Sequence, residues 1–79
     1  MSIIDIRTAM LDFGNNMYFV YNGEKCGVES EFKNGIPTFE AWCGETTKTY
    51  NSFESLITDK FFHGKSLHEL STKVSFDFL

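Results

Sequence analysis

Lys25-Cys-Gly-Val-Glu-Ser-Glu-Phe-Lys-Asn-Gly-Ile-Pro-Thr-Phe-Glu-Ala-Trp-Cys-Gly44 decides how this chain folds. Asn34-Gly35 splits it into two strand-like runs. A two-residue turn of type I′ needs positive φ at both central positions, which Asn and Gly tolerate best. Centred there, residues whose numbers sum to 69 lie opposite one another. One face then collects Cys26, Val28, Ser30 and Phe32 with Pro37, Phe39, Ala41 and Cys43. The other collects Lys25, Gly27, Glu29 and Glu31 with Thr38, Glu40, Trp42 and Gly44. The competing three-residue loop, Lys33-Asn34-Gly35, would set Val28 against Glu40 and Cys26 against Trp42. It mixes the two faces, so the apolar pattern selects the first register.

That register has chemical consequences. Phe32–Pro37 is a non-hydrogen-bonded pair, so Pro37 costs no bond to its partner strand. Cys26–Cys43 is non-hydrogen-bonded too, with Cα atoms roughly 4.5 Å apart, which makes a disulfide geometrically conceivable. Glu29 faces Glu40, with Glu31 diagonal to both. Like charges directly opposite each other are mildly destabilising on a sheet.

A second turn signal, Asn22-Gly23, pairs Met17–Tyr21 with the start of the hairpin. It places Phe19 opposite Cys26, Met17 opposite Val28, and Tyr18 opposite Gly27. Tyr18 and Trp42 therefore flank a glycine with no side chain of its own, a known way of covering a strand glycine. Gly44-Glu45 is a third turn leading into Thr46–Tyr50, a polar and β-prone run. Ser2 caps a first helix in which Ile3, Ile6, Met10 and Phe13 share a face, ended by Gly14. Ser52 caps a second helix expected to run from Phe53 to about Phe62, with Phe53, Leu56, Ile57 and Phe61 as its apolar stripe and Gly64 as its stop. Ser66 and Glu69 have the spacing of a capping box, opening a short helical turn. Val74, Phe76 and Phe78 alternate with polar residues in a final strand over 72–79.

The expected fold is therefore α+β, one domain over residues 1–79. It has an antiparallel sheet of four to five strands, a meander plus the C-terminal strand, with the N-terminal and second helices packed on the Cys26/Val28/Phe39 face. Seventy-nine residues with nine Phe and one Trp suffice for a small core. No apolar run approaches the roughly 18 residues of a membrane span. The opening Met-Ser-Ile-Ile-Asp-Ile lacks a basic and then apolar leader, so a cytoplasmic location is expected, where both cysteines stay reduced. Abundant Phe, Asn and Lys beside scarce Ala, Arg and Pro suggest an AT-rich bacterial or phage gene.

The formal net charge is −4, and Arg7 is the sole arginine. Lys25, Lys33, Lys48, Lys60, Lys65 and Lys73 are dispersed, which disfavours a phosphate-binding face. Two Cys with His63-x4-His68 invite a zinc reading, but the close Cys pair spacing of zinc motifs is missing. Cys43, His63 and Asp59 assemble into a nucleophilic triad only on paper, with no signature around the Cys. Neither calcium, a cofactor nor catalysis is expected. The residues that stand out are Tyr18, Glu29, Glu31, Glu40 and Trp42, aromatic anchors beside carboxylates, as interaction hot spots are commonly built. The function expected from sequence is a non-catalytic protein-interaction module with a basic partner, such as a regulator or inhibitor carried by a phage or mobile element. A nucleic-acid-associated regulator is the second reading. An unpaired edge strand would add homodimerisation.

Overall fold

The structure is a computed structural model describing residues 1–79. Five strands form one antiparallel sheet: β1 (Met17–Tyr21), β2 (Glu24–Lys33), β3 (Ile36–Cys43), β4 (Thr46–Tyr50) and β5 (Asp77–Phe78), in the order β4-β3-β2-β1-β5. The β2–β3 register is the one set by Asn34-Gly35, from Lys33 opposite Ile36 to Cys26 opposite Cys43. Both turn pairs have positive φ at each central residue: 52° and 75° at Asn22-Gly23, 53° and 76° at Asn34-Gly35. At Gly44-Glu45 only the glycine does, at 60°.

All helices lie on one side of the sheet. Ile6 and Met10 from the N-terminus, Leu56 and Ile57 from α2 (Phe53–Thr58), and Leu67 and Leu70 from α3 (Leu67–Leu70) are buried. They share a core with Met17, Phe19, Val28, Phe39, Ala41 and Tyr50. Phe62 is buried against Phe19, with ring centroids 5.2 Å apart. The capping box of α3 is present, Ser66 Oγ accepting from the Glu69 amide and Glu69 accepting from the Ser66 amide.

Five local expectations are corrected. The first helix is α-helical only over α1 (Ile3–Arg7); Thr8–Asp12 continue as a π-helical stretch. Its wider i→i+5 bonds, such as Phe13 N–H to Thr8 C=O, rotate Phe13 off the apolar stripe and leave it 73% exposed. The second helix stops at Thr58 rather than near Phe62, because Asp59 turns extended to meet Lys48 and Tyr50. His63-Gly64 then forms a fourth tight turn, not a helix stop. Both residues have positive φ (51° and 78°), and Phe62 and Lys65 exchange backbone hydrogen bonds across it. The final strand shrinks to β5, paired with Met17 and Tyr18, while Val74 and Phe76 pack on the core as irregular chain. Phe32, assigned to the apolar face, is half exposed, because neither β1 nor β4 reaches that far along the hairpin.

Two carboxylates tie surface elements together. Asp59 Oδ2 accepts from Lys48 Nζ at 2.7 Å and from the Tyr50 hydroxyl at 2.5 Å. Those bonds hold its carboxyl below the usual range, while burial, and then Asp59 itself, push the Tyr50 hydroxyl up. Glu69 accepts from Lys60 Nζ at 2.8 Å and the Ser66 amide at 3.1 Å, which lowers it from 4.5 to about 2. A depressed carboxylate stabilises the fold above its unfolded value and loses that effect as pH falls through the folded value. Glu69→Gln should therefore lower the melting temperature at neutral pH. The gap from the wild type should close between pH 4.5 and about 2 in a calorimetric pH series; a gap independent of pH would exclude the carboxylate's charge as its origin.

Candidate functional site

The sheet has one helix-covered face and one bare face. On the bare face stand Tyr18 and Val20 of β1, Lys25, Gly27, Glu29 and Glu31 of β2, Thr38, Glu40 and Trp42 of β3, and Thr47 and Thr49 of β4. Of these only Gly27 is buried. The alternation of each strand sends its large apolar side chains to the core and leaves these outside. All five site residues expected from sequence (Tyr18, Glu29, Glu31, Glu40 and Trp42) stand on this face.

They form two adjoining patches along the strands. In the first, the Trp42 ring lies over Gly27, occupying the space a Cβ there would need. Tyr18 meets it from the other side, with ring centroids 5.6 Å apart and planes tilted by 59°. Val20, 61% exposed, extends this apolar surface. A groove of about 610 Å³ runs beside it, bordered by Tyr18, Val20, Lys25 and Trp42 and by Lys73, Val74 and Asp77 of the C-terminal segment.

The second patch begins one row further along. Glu29 lies opposite Glu40, as the register requires, and Glu31 lies opposite Thr38. All three are exposed, and none belongs to any of the three ion pairs in the structure. With Asn16, Lys33, Thr49 and Asn51 they line a polar groove of about 490 Å³. Its floor is tied down where Asn16 Oδ1 accepts from the Ser30 amide at 3.0 Å and Ser30 Oγ donates to the Asn15 carbonyl at 3.2 Å.

The cysteines are on the covered face, as the pattern requires, but the expectation of two free thiols is corrected. Cys26 and Cys43 are joined as a disulfide, and no cysteine is free. The non-hydrogen-bonded position brings their Cα atoms to 4.1 Å, so the sulfurs meet without any movement of the strands. The paper triad is not assembled: Asp59 is engaged by Lys48 and Tyr50, and His63 by Glu24 at 2.6 Å. His68 is exposed on α3 and is not the partner of His63. The grouping that sequence reasoning missed is Glu24, Cys43 and His63, whose donor atoms all lie within 4.8 Å of one another. Reading His63-Gly64 as a tight turn, by analogy with the two Asn-Gly turns, would have supplied the clue.

Two stability measurements follow from this geometry. A Cβ at Gly27 would lie 2.6 Å from the Met17 carbonyl oxygen and closer still to the Trp42 ring. Gly27→Ala should cost about 1–3 kcal/mol in urea unfolding, as overpacking does. Because the backbone oxygen remains, adding Trp42→Ala should not restore the loss; full restoration would leave the ring as the sole obstacle. Reducing the disulfide, which spans a sequence separation of 17, should lower the unfolding free energy by about 3 kcal/mol on chain-entropy grounds; an unchanged denaturation midpoint with and without reductant would refute this. No protein-family model matches the chain, and neither a curated protein nor a solved structure matches it.

Proposed function

We infer that this protein is a non-catalytic interaction module whose bare sheet face binds a basic segment of a partner protein. The observation that carries the reading is the Glu29–Glu40 pair with Glu31 beside it. Carboxylates are set against each other on the β2–β3 ladder with no cation of the chain paired to them. Their mutual repulsion is relieved when a Lys or Arg side chain of another molecule enters the groove between them. The adjoining Tyr18/Trp42 surface supplies what charge alone lacks, a half-buried aromatic anchor seated over Gly27. Aromatic anchors carry a large share of the binding energy in protein interfaces.

The face also has a direction. Lys25 and Lys73 border the aromatic groove, and the glutamates lie on the other side of Trp42. A partner segment lying across it places its basic residues on the glutamate rows and its apolar residue against Tyr18 and Trp42. The same carboxylates repel nucleic-acid phosphates, so a protein partner is favoured over the nucleic-acid reading. No helix of the structure is long and apolar enough to cross a membrane.

Selection from a random displayed peptide library tests this directly. Enriched peptides should combine Lys or Arg with a neighbouring large apolar residue, and their binding should weaken as salt is raised. Trp42→Ala should cost about 2 kcal/mol, roughly 30-fold in Kd, and Glu40→Lys should reduce binding further while circular dichroism stays unchanged. Selected peptides without basic residues, or binding indifferent to both substitutions, would overturn the reading.

A further inference from the structure

We propose that reduction of the Cys26–Cys43 disulfide converts the corner formed by Glu24, Cys43 and His63 into a zinc site. It lies at the opposite end of the hairpin from the Asn34-Gly35 turn and is independent of the bare sheet face. Three separate pieces of chain build it. Glu24 opens β2 directly after the Asn22-Gly23 turn, Cys43 closes β3, and His63 is held at the tip of the His63-Gly64 turn. The donor atoms, a carboxylate oxygen, a sulfur and an imidazole nitrogen, all lie within 4.8 Å of one another, with His63 Nε2 and Glu24 Oε1 2.6 Å apart.

Several features show that the corner is shaped rather than accidental. His63 is a non-glycine residue in the left-handed region, at φ 51°, a conformation that most side chains rarely adopt. Its ring is supported by Tyr21, with centroids 5.9 Å apart. Gly44, next to Cys43, leaves the room in which the Glu24 carboxylate sits; a Cβ there would overlap Glu24 Oε2. Glu24, Cys43, Gly44, Phe61 and His63 border an accessible recess of about 630 Å³.

The donor set suits zinc in particular. Zn²⁺ takes sulfur, imidazole nitrogen and carboxylate oxygen together, at roughly 2.0–2.3 Å in a tetrahedron. Donors now within 4.8 Å need only small side-chain adjustments to reach that geometry. Calcium and magnesium, which require oxygen ligands, are not suited to a thiolate. Water fills the fourth position from the recess.

The disulfide makes the site conditional. While Cys43 is bonded to Cys26 it has no thiolate to offer. A dithiol reductant transfers two electrons and two protons to the disulfide, closing to its own cyclic disulfide and leaving the Cys26 and Cys43 thiols. Zinc then binds Cys43 sulfur with release of that thiol's proton, and binds His63 and Glu24 in their neutral and ionised forms. Cys26, fully buried on the core side, is the residue whose oxidation withdraws Cys43 from the metal.

Native mass spectrometry and competition titration with zinc, in the presence and absence of a phosphine reductant, decide the matter. The reduced chain should bind one zinc, and the oxidised chain none. Cys26→Ser, kept free of oxygen, should bind one zinc with no reductant, since its Cys43 is always a thiol. Cys43→Ser and His63→Ala should each weaken binding beyond the roughly 10–100-fold that loss of an outer-shell group costs. Circular dichroism of each variant separates lost ligands from lost fold, and cobalt substitution should give a thiolate charge-transfer band in the reduced chain and in Cys26→Ser alike. A reduced chain that binds no zinc overturns the proposal. So does a folded Cys43→Ser or His63→Ala variant that binds as tightly as the wild type, or equal binding by the oxidised chain.

Discussion

The β2–β3 ladder is the constraint on which everything else in this molecule rests. It is the longest pairing in the sheet, and its register follows from a turn that only residues tolerant of positive φ can make. Once Lys33 faces Ile36, every later pair is determined. Cys26 meets Cys43 on the core side, Trp42 finds Gly27 on the bare side, and Glu29 is forced against Glu40. A slip of one residue would carry Val28 and Phe39 out to solvent and bring glutamates inward, so burial of the core and exposure of the acidic rows are one event.

The contrast between the two faces of that ladder explains the charge arrangement. The helices cover one face and supply Leu56, Ile57, Leu67 and Leu70 to a shared core. The other face receives no cover, yet it is not uniformly polar. Its aromatic pair is accommodated by the absence of a side chain at Gly27, which lets the Trp42 ring lie over that position, half buried. A sheet under no functional demand can separate its like charges by alternating their signs. Here Glu29 and Glu40 remain juxtaposed while the lysines of the same face sit at its ends.

Local chemistry was readable wherever it acted alone. Asn22-Gly23, Asn34-Gly35, the capping residues Ser2, Ser52 and Ser66, and the alternation of β1 to β3 each determine their own geometry. What could not be read came from partners distant in sequence. Asp59 leaves the helix for Lys48 and Tyr50, a choice invisible in the Phe53–Phe62 apolar stripe. Phe13 departs from the stripe of the first helix because a π-helical stretch shifts the phase, and nothing in Thr8–Asp12 announces that shift. His63-Gly64 has the composition of a helix stop and of a tight turn alike, and the early end of α2 decides between them. The bare face was found because period-two alternation separates two sides of a strand. Glu24, Cys43 and His63 were not grouped, since their meeting depends on where a shortened helix sets down the next turn.

The far end of the hairpin behaves differently from its base. β1 pairs with β2 only as far as Val28, and β4 with β3 only from Phe39. Beyond those points Glu31–Lys33 and Ile36–Thr38 form a ribbon of two strands bonded only to each other, joined to the body at Ser30, which is tied to Asn15 and Asn16. An isolated pair of strands is marginal in water, so this ribbon opens by local fluctuation without cooperation from the core. Its amide hydrogens should exchange sooner than those of Cys26 or Ala41. The outward N–H and C=O of Phe32 on one edge and the outward carbonyl of Pro37 on the other have no neighbouring strand. A segment that pairs with either edge damps those fluctuations, and the ordering of the ribbon becomes part of the free energy of association.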